Sequence, residues 1–334
     1  MTRSPPVAAV VLNWNQAGLT LDCLAALRRS ARPVDHLVVV DNGSRPDQRA
    51  ALAAGLPAAA RPVRLPANRG FAGGMNAGLA EAGRLGAEYA WLVNNDAFPD
   101  PGCLGLLLAA MDADPTLAAV TPRLVGTDGR EQHAGGWFDF ATGVSACGYA
   151  ADHATATDRA DRWVIGTAPL VRVGPCARAG GFDDRFFAYM EEIDLCLRLG
   201  RQGYRFRAVP GATAVHLGHA STGGNFPPLA LYLHTRNQYL LCRKHVPGAR
   251  SVRFFTSYLR TVIDHAGCFE LNGQPDRARA VVQAVFALVM GERGRPQGFG
   301  RCPRLAGFVA RHPWQLTRAL DRFGRRPAPA GGAA

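Results

Sequence analysis

Short apolar runs alternate with helical segments over the first hundred residues, and this restricts the chain to few architectures. The predicted strands are 7–12, 37–40, 61–65 and 89–93. The predicted helices between them are 18–29, 48–54 and 70–86. The runs 7–12, 37–40 and 89–93 contain no charged residue, as in strands buried on both faces. Strands of this kind separated by helices indicate βαβ units around a mostly parallel sheet, so we expect an α/β fold.

Polar side chains follow three of these strands, at the point where each strand ends. Asn13, Asp41 and Asp96 occupy these positions. In open α/β sheets ligands bind at the carboxyl ends of the strands. We therefore expect the binding site there. The glycines of the segment 68–76 do not form the GxGxxG pattern of dinucleotide-binding proteins, so a nicotinamide cofactor is disfavoured.

Composition excludes several classes of protein. The chain is 48% hydrophobic with a net charge of +12, which allows a real core and argues against disorder. Its eight cysteines show no CxxC spacing, so a zinc knuckle is not expected. We expect them to be free thiols in a reducing compartment. The apolar stretch 280–290 is too short to cross a bilayer, which needs about 20 residues. We expect a cytoplasmic protein, either free or peripheral at the inner face of the membrane.

The rest of the chain is less regular before it becomes helical. Residues 99–113 and 186–203 are predicted helices, and 121–161 reads as loops and short edge strands. A strand over 204–209 is expected to end at Pro210-Gly211. The predicted helices 229–245, 252–268 and 278–291 follow. We expect a catalytic domain over 5–225, a helical C-terminal extension over 226–324, and a disordered Pro/Ala/Gly tail over 325–334.

Short motifs follow one another in a fixed order from residue 10 to residue 237. They are Asn13-Trp14-Asn15, Asp41-Asn42-Gly43-Ser44, Asn68 to Asn76, Asn94-Asn95-Asp96, Gly180 to Asp183, Glu191 to Leu195, Val215-His216 and Arg236-Asn237. Together they resemble the family 2 inverting glycosyltransferases of GT-A type, and especially their rhamnosyltransferase-like branch. The resemblance implies a GT-A-like nucleotide-sugar-binding fold, with a mostly parallel central sheet flanked by helices.

The resemblance also implies a reaction. A sugar would move with inversion from a nucleotide-diphosphate donor to a hydroxyl acceptor, which is a glycan, a lipid-linked glycan or a natural product. The similarity favours dTDP-rhamnose or a related deoxysugar as donor. Mg²⁺ or Mn²⁺ would neutralise the diphosphate leaving group. Two alternatives are a catalytically silent nucleotide-sugar-binding protein and a sugar nucleotidyltransferase; the acidic cluster at 191–194 argues against the first, and the segment 13–16 lacks the glycine-rich basic loop of the second.

The resemblance implies Asp96 and His216 as the metal ligands. Asn94 stands where the family usually has a first acid, so the motif supplies a single carboxylate. Two plainer interpretations remain open. Asp96 is also placed to cap the helix after it, and a lone histidine is more often structural than a ligand.

Donor contacts are implied at ten positions. They are Asn13, Asn15, Asp41, Asn68, Arg69, Gly70, Gly73, Asn76, Asn95 and Arg236. The glycines allow close backbone approach, and the helix that begins near Gly70 offers its N-terminus to phosphate. For Asp41 the alternative is an Asx turn. For Arg236 the alternative is a helix-capping or interdomain salt bridge.

An inverting reaction needs a base that takes the proton of the acceptor hydroxyl. The resemblance maps the base to Glu192, with Glu191 and Asp194 as alternatives. Nearby like charges and aromatic residues raise a carboxyl pKa, whereas a helix N-terminus lowers it. Asp194 and Arg198 lie four residues apart and are expected to pair at the surface.

Arginines dominate the sequence after residue 245. They either contact anionic lipid head groups or form a solvated face. Binding to nucleic acid is not expected, because no basic motif interleaved with aromatic residues is present.

Overall fold

The computed structural model describes residues 5–141, 143–149, 162–218, 227–300, 303–312 and 315. The chain divides into two compact units, residues 1–225 and 226–334. The expected tail over 325–334 lies outside the described residues.

The first unit opens with the predicted alternation of strands and helices. Its elements are β1 (Val7–Asn13), α1 (Ala17–Arg28), β2 (His36–Asp41), α2 (Pro46–Gly55), β3 (Ala60–Arg64), α3 (Gly70–Arg84) and β4 (Tyr89–Asn94). β1, β2 and β4 are buried almost throughout, as their apolar runs predict, whereas β3 lies at the sheet edge and is largely exposed.

The second half of this unit contains shorter strands. The elements are β5 (Ala97–Pro99), α4 (Cys103–Ala113), β6 (Leu117–Val125), β7 (Gly135–Phe138), β8 (Ser145–Gly148), β9 (Arg162–Val164), β10 (Leu170–Arg172), α5 (Val173–Arg178), α6 (Glu191–Gly200) and β11 (Arg205–His216). β7, β8 and β9 form a small antiparallel sheet of their own.

The large sheet has the strand order β3-β2-β1-β4-β10-β6-β11-β5. Its first four strands are parallel, and β10 is inserted antiparallel between β4 and β6. Leu24 of α1 and Leu104 of α4 belong to a buried cluster that also contains Trp91 of β4. This mixed, mostly parallel sheet with flanking helices confirms the expected α/β fold.

Two element boundaries differ from the predictions because of local backbone geometry. β11 does not end at Pro210-Gly211. A register shift against β6 between Val209 and Thr213 absorbs these residues, and the strand continues to His216. The helix expected from Phe186 begins at Glu191, since Phe187, Tyr189 and Met190 all have positive φ.

The second unit is helical. It contains α7 (Pro228–His245), α8 (Val252–Leu271), α9 (Pro275–Val289) and α10 (Pro303–Arg311). Small residues on α10, Ala306 and Ala310, lie in a buried cluster with Val262 of α8 and Val281 of α9. Within the described parts of the chain, no helix is long and apolar enough to cross a membrane.

Candidate active site

Asp96 and His216 meet because β5 pairs antiparallel with the end of β11. The register places His216 opposite Ala97, the residue after Asp96, and the Leu217 N–H donates to the Asp96 carbonyl at 3.0 Å. Asp96 Oδ1 lies 3.5 Å from His216 Nε2, and both side chains are shielded from solvent. The continuation of β11 past Pro210-Gly211 therefore brings the two predicted metal ligands together.

Gln132 fixes the orientation of the His216 ring. Its Nε2 donates to the His216 carbonyl at 3.2 Å, which turns its Oε1 toward His216 Nδ1 at 2.7 Å. Because Oε1 only accepts, Nδ1 carries the ring proton when the imidazole is neutral. The Nε2 lone pair then faces the Asp96 carboxylate. Two electron-rich atoms at this distance need a cation or a proton between them, so the donor set fits a divalent metal ion.

A metal ion held here would take Asp96 and His216 as its protein ligands. No group of three or more His, Cys, Asp or Glu side chains suited to a metal occurs among the described residues. Such an ion would supply positive charge beside a bound diphosphate.

Asn13 and Asn95 lie in a buried polar network behind this pair. Thr20 Oγ1 donates to Asn13 Oδ1 at 2.8 Å, and Asn13 Nδ2 donates to Ser44 Oγ at 3.1 Å. Asn95 Nδ2 donates to Thr20 Oγ1 at 3.1 Å. Asn13 is fully buried, and both the oxygen and the nitrogen of its side-chain amide are hydrogen-bonded. Its side chain therefore joins the end of β1 to the start of α1 and to the turn after β2.

Asn15 and Asp41 hold the same turn from its two sides. Asn15 has φ +56°, its N–H donates to Ser44 Oγ at 2.9 Å, and its Oδ1 accepts from the Arg45 N–H. Asp41 Oδ1 accepts from the Ser44 N–H at 3.1 Å, so Asp41 stabilises the turn locally, although the bond reaches three residues on and not the two of an Asx turn. Its other oxygen pairs with Arg49 at 3.0 Å. The expected contact of Asp41 with a nucleobase stays a prediction.

The loop before α3 depends on Asn42, which the sequence reasoning did not single out. Asn42 Nδ2 donates to the Gly70 carbonyl at 2.9 Å, and its Oδ1 accepts from the Arg69 N–H at 3.0 Å. Asn68 Oδ1 accepts from the Gly70 N–H at 2.7 Å. Gly70 has φ +74°, and a Cβ there would lie 2.1 Å from the Phe187 carbonyl oxygen, so only glycine fits.

Residues at the start of α3 bind the loop that leads to α6. Asn76 Nδ2 donates to the Phe182 carbonyl, and its Oδ1 accepts from the Phe182 N–H, both at 2.8 Å. Arg69 pairs with Asp184 at 2.7 Å, and Gly73 leaves room for the Arg69 side chain. These residues, expected to contact the donor, also position the segment 182–187.

The backbone of residues 187–190, just before α6, is strained. Phe187, Tyr189 and Met190 have φ of +66°, +70° and +73°, a conformation that costs non-glycine residues of order 1 kcal/mol or more each. The Ala72 N–H donates to the Phe187 carbonyl at 3.1 Å, and the Met190 side chain is buried. Strain held in place by packing at the start of an acidic helix is typical of a functional segment.

Glu191 is buried and Glu192 is half-buried at the start of α6. Burial raises the pKa of both carboxyls, and the neighbouring Glu192 charge raises the pKa of Glu191 further, well above its usual range. The backbone N–H groups of Glu192 and Ile193 oppose this rise at Glu192. Oε2 of each glutamate is buried without a hydrogen-bond partner among the described residues. The two carboxyls are close enough to titrate as a pair, and the rise in pKa is larger at Glu191.

Tyr189 interacts electrostatically with the two glutamates and with Asp96, a predicted metal ligand. Burial, followed by the charges of Glu191, Glu192 and Asp96, raises the pKa of its hydroxyl to about 12. The charges of Glu191, Glu192 and Asp96 thus all act on the Tyr189 hydroxyl.

Asp194 occupies a different environment from the glutamates. It is 0% exposed and pairs with Arg198, which is 18% exposed, at 2.8 Å. Arg198 also donates to the carbonyls of Ala179 and Gly181. The pairing is confirmed, but its expected place at the surface is wrong, because the loop at 179–181 folds over it. With one oxygen held by Arg198, Asp194 is disfavoured as the base.

Arg236 lies in the helical unit, where its side chain is fully buried. Its Nη1 pairs with Glu292 at 2.8 Å, and Tyr232 donates to the same carboxylate oxygen at 2.6 Å. Burial lowers the pKa of the guanidinium, and Glu292 opposes this. Arg236 thus forms a salt bridge within one unit and not the expected interdomain one, and the expected contact with a donor diphosphate stays a prediction.

Comparison with known proteins identifies the family of the chain. The family model "Glycosyl transferase family 2" matches residues 8–157, and "Glycosyl transferase family group 2" matches residues 91–262. Galactofuranosyltransferase GlfT1 of Mycolicibacterium smegmatis is 30% identical over 77% of this chain and 82% of its own length. N-acetylglucosaminyl-diphospho-decaprenol L-rhamnosyltransferase of Mycobacterium tuberculosis is 28% identical over 63% of this chain and 74% of its own.

A solved structure shares the fold at low sequence identity. It is the mannosyltransferase PcManGT from Pyrobaculum calidifontis in complex with GDP-Man and Mn²⁺, with a TM-score of 0.51 and 19% identity over 96% of this chain and 85% of that one. From the family models and the relatives together, the chain belongs to the family 2 glycosyltransferases, the inverting enzymes that take their sugar from a nucleotide donor.

Proposed function

We propose that this enzyme transfers a rhamnosyl or galactofuranosyl residue from a nucleoside diphosphate to a hydroxyl of a lipid-linked glycan. The two relatives whose names give these sugars support the donor class, and the decaprenol-linked acceptor in one of those names supports the acceptor class. dTDP-rhamnose is the donor that we favour. A catalytically silent binding protein or a sugar nucleotidyltransferase would not need Glu191 and Glu192 in addition to the predicted metal ligands Asp96 and His216.

One observation carries the proposed chemistry. The Nε2 lone pair of His216 and the Asp96 carboxylate converge at 3.5 Å, and the charge of Asp96 acts on the Tyr189 hydroxyl together with the charges of Glu191 and Glu192. Asp96 and His216 would hold Mg²⁺ or Mn²⁺, which supplies positive charge to the diphosphate as the glycosidic bond breaks. Gln132 keeps Nε2 available for that ion.

Glu192 would act as the base. Burial and the neighbouring Glu192 charge raise the pKa of Glu191 well above its usual range, whereas the first N–H groups of α6 oppose the rise in the pKa of Glu192, so Glu192 is the member of the pair better suited to act as the ionised base. Its raised pKa strengthens it as a proton acceptor. As the acceptor oxygen attacks the anomeric carbon in line with the leaving diphosphate, its proton passes to a Glu192 carboxylate oxygen.

We assign catalysis to residues 5–225 and a supporting role to the helical extension over 226–324. We also place the enzyme in the cytoplasm, where nucleotide sugars are made. All seven described cysteines are free thiols, and five of them are buried, which fits a reducing compartment.

A donor panel tests the substrate proposal. Release of nucleoside diphosphate is followed by chromatography with dTDP-rhamnose, UDP-galactofuranose, GDP-mannose and UDP-N-acetylglucosamine, with polyprenyl-diphosphate-linked N-acetylglucosamine as acceptor. We expect metal-dependent turnover with one of the first two donors and a glycosylated lipid product. Turnover confined to either of the last two donors would contradict the donor class. Release of pyrophosphate from a nucleoside triphosphate and a sugar phosphate would instead identify a nucleotidyltransferase.

A further inference from the structure

The net positive charge of this chain comes entirely from one of its two units. Residues 226–334 contain 17 Lys and Arg against 5 Asp and Glu, which accounts for the whole net charge of +12, whereas residues 1–225 contain 21 of each. A coding bias toward arginine would act on both units alike. The basic excess therefore belongs to the helical unit specifically.

The helices α8 and α9 form an antiparallel hairpin, which sets which residues share an end. A tight turn joins them, with the Gly273 N–H donating to the Glu270 carbonyl and the Gln274 N–H to the Phe269 carbonyl. Three residues separate the helices, so the start of α8 and the end of α9 lie at the opposite end of the hairpin from this turn.

That end combines exposed apolar side chains with exposed arginines. Val252 is 79% exposed, Val289 is 67% exposed and Met290 is 84% exposed. Arg250, Arg253 and Arg293 are exposed beside them in the chain. We call these six residues the hairpin tip. No ion pair joins any of the three arginines to a described residue, and the nearest acid in sequence, Glu292, is taken up by Arg236 and Tyr232.

We propose that the hairpin tip docks on an anionic phospholipid surface. Apolar side chains exposed to this degree stabilise a protein at an interface when they enter the acyl boundary, and arginines around them pair with lipid phosphates. Nucleic acid fits less well, because the six residues include no aromatic side chain for stacking on bases. A second copy of the chain fits less well too, since two such tips would repel each other.

Co-sedimentation of the full chain with vesicles tests the inference. The probes are vesicles of phosphatidylcholine alone and vesicles with 30% phosphatidylglycerol. We expect binding to the anionic vesicles only, weakening as salt is raised. The double variant R253E/R293E should bind at least 25-fold more weakly, at about fivefold for each arginine near the surface. V289S/M290S should lose the part of the binding that survives in high salt.

A matched control separates the tip from net charge. R28E/R61E changes two exposed arginines of the first unit and alters the charge by the same amount. It should bind the anionic vesicles within about twofold of the wild type, since these residues lie outside the tip. All variants should keep the wild-type melting temperature, as every position is exposed, and the wild-type affinity for the nucleotide donor in solution, so that a failure here is distinct from a failure of the proposed function.

Several results would overturn the inference. These are equal binding to neutral and anionic vesicles, no binding to either, and equal losses in R253E/R293E and in the control. Salt-sensitive binding to RNA without vesicle binding would assign the basic unit to nucleic acid. Sedimentation as a dimer that V289S/M290S dissociates, again without vesicle binding, would assign the tip to self-association.

Discussion

Replacing Gln132 tests how the metal pair is built. Gln132→Met keeps the length of the side chain and removes both of its hydrogen bonds to His216, the one to Nδ1 at 2.7 Å and the one to the carbonyl at 3.2 Å. Each neutral bond contributes about 1 kcal/mol, so the pair holds the ring with about 1–2 kcal/mol. Metal affinity should therefore fall about 5- to 30-fold, near the lower part of the 10–100-fold range for partners that orient a metal-binding histidine.

Mn²⁺ electron paramagnetic resonance measures this affinity directly, in the presence of the nucleoside diphosphate and without turnover. The activity of Gln132→Met should recover when Mn²⁺ is raised, because the ligands themselves are intact. Gln202→Met serves as the control, since Gln202 is exposed beyond the end of α6. If Gln132→Met binds Mn²⁺ as the wild type does, or if its activity is lost at every Mn²⁺ concentration, the assigned role of Gln132 is wrong.

Three further variants examine separate parts of the site. Asp96→Ala should abolish the Mn²⁺-dependent part of donor binding while the protein stays folded; calorimetry with and without chelator would refute this if both affinities matched the wild type. Asp194→Asn should lower the free energy of unfolding by about 2–3 kcal/mol, less than for a fully buried pair because Arg198 is 18% exposed, as urea unfolding can measure. Glu191→Gln should raise the melting temperature at pH 8 more than at pH 5. A carboxyl with a raised pKa in the folded state stabilises the protein while protonated and loses that contribution as pH rises through the folded pKa, so an equal shift at both pH values would count against the buried pair.

Much of the site follows from the sequence because parallel strands end at one edge of a sheet. Unbroken apolar runs identify β1, β2 and β4, so Asn13, Asp41 and Asp96 had to lie near one another. The Asp-Asn-Gly-Ser turn was likewise readable, since an aspartate oxygen that accepts the N–H three residues on is a local interaction.

The contacts that sequence reasoning missed are long-range. Gln132 lies 84 residues from His216 in a glycine-rich segment, and no local pattern indicates that its amide meets the ring. The spacing of Asp194 and Arg198 predicts their pairing, but burial depends on the loop at 179–181, which the spacing does not encode.

Backbone strain was also out of reach of the sequence. Positive φ at Phe187, Tyr189 and Met190 runs against the preference of all three residue types. At Phe187 the start of α3 holds this conformation, because the Ala72 N–H donates to the Phe187 carbonyl and Gly70 leaves room for it. Propensity therefore extended α6 back to Phe186, whereas the structure starts it at Glu191.

The measurement that tests the account most directly compares turnover with donor binding in Glu192→Gln. The amide keeps the shape of the side chain but accepts no proton, and loss of a general base costs about 10²–10⁴ in rate. Single-turnover kinetics should show at least a 100-fold slower transfer, while the donor Kd stays within about twofold, because Asp96 and His216 are untouched. Near-wild-type turnover in Glu192→Gln, with transfer abolished in Glu191→Gln or Asp194→Asn instead, would contradict the assignment of the base.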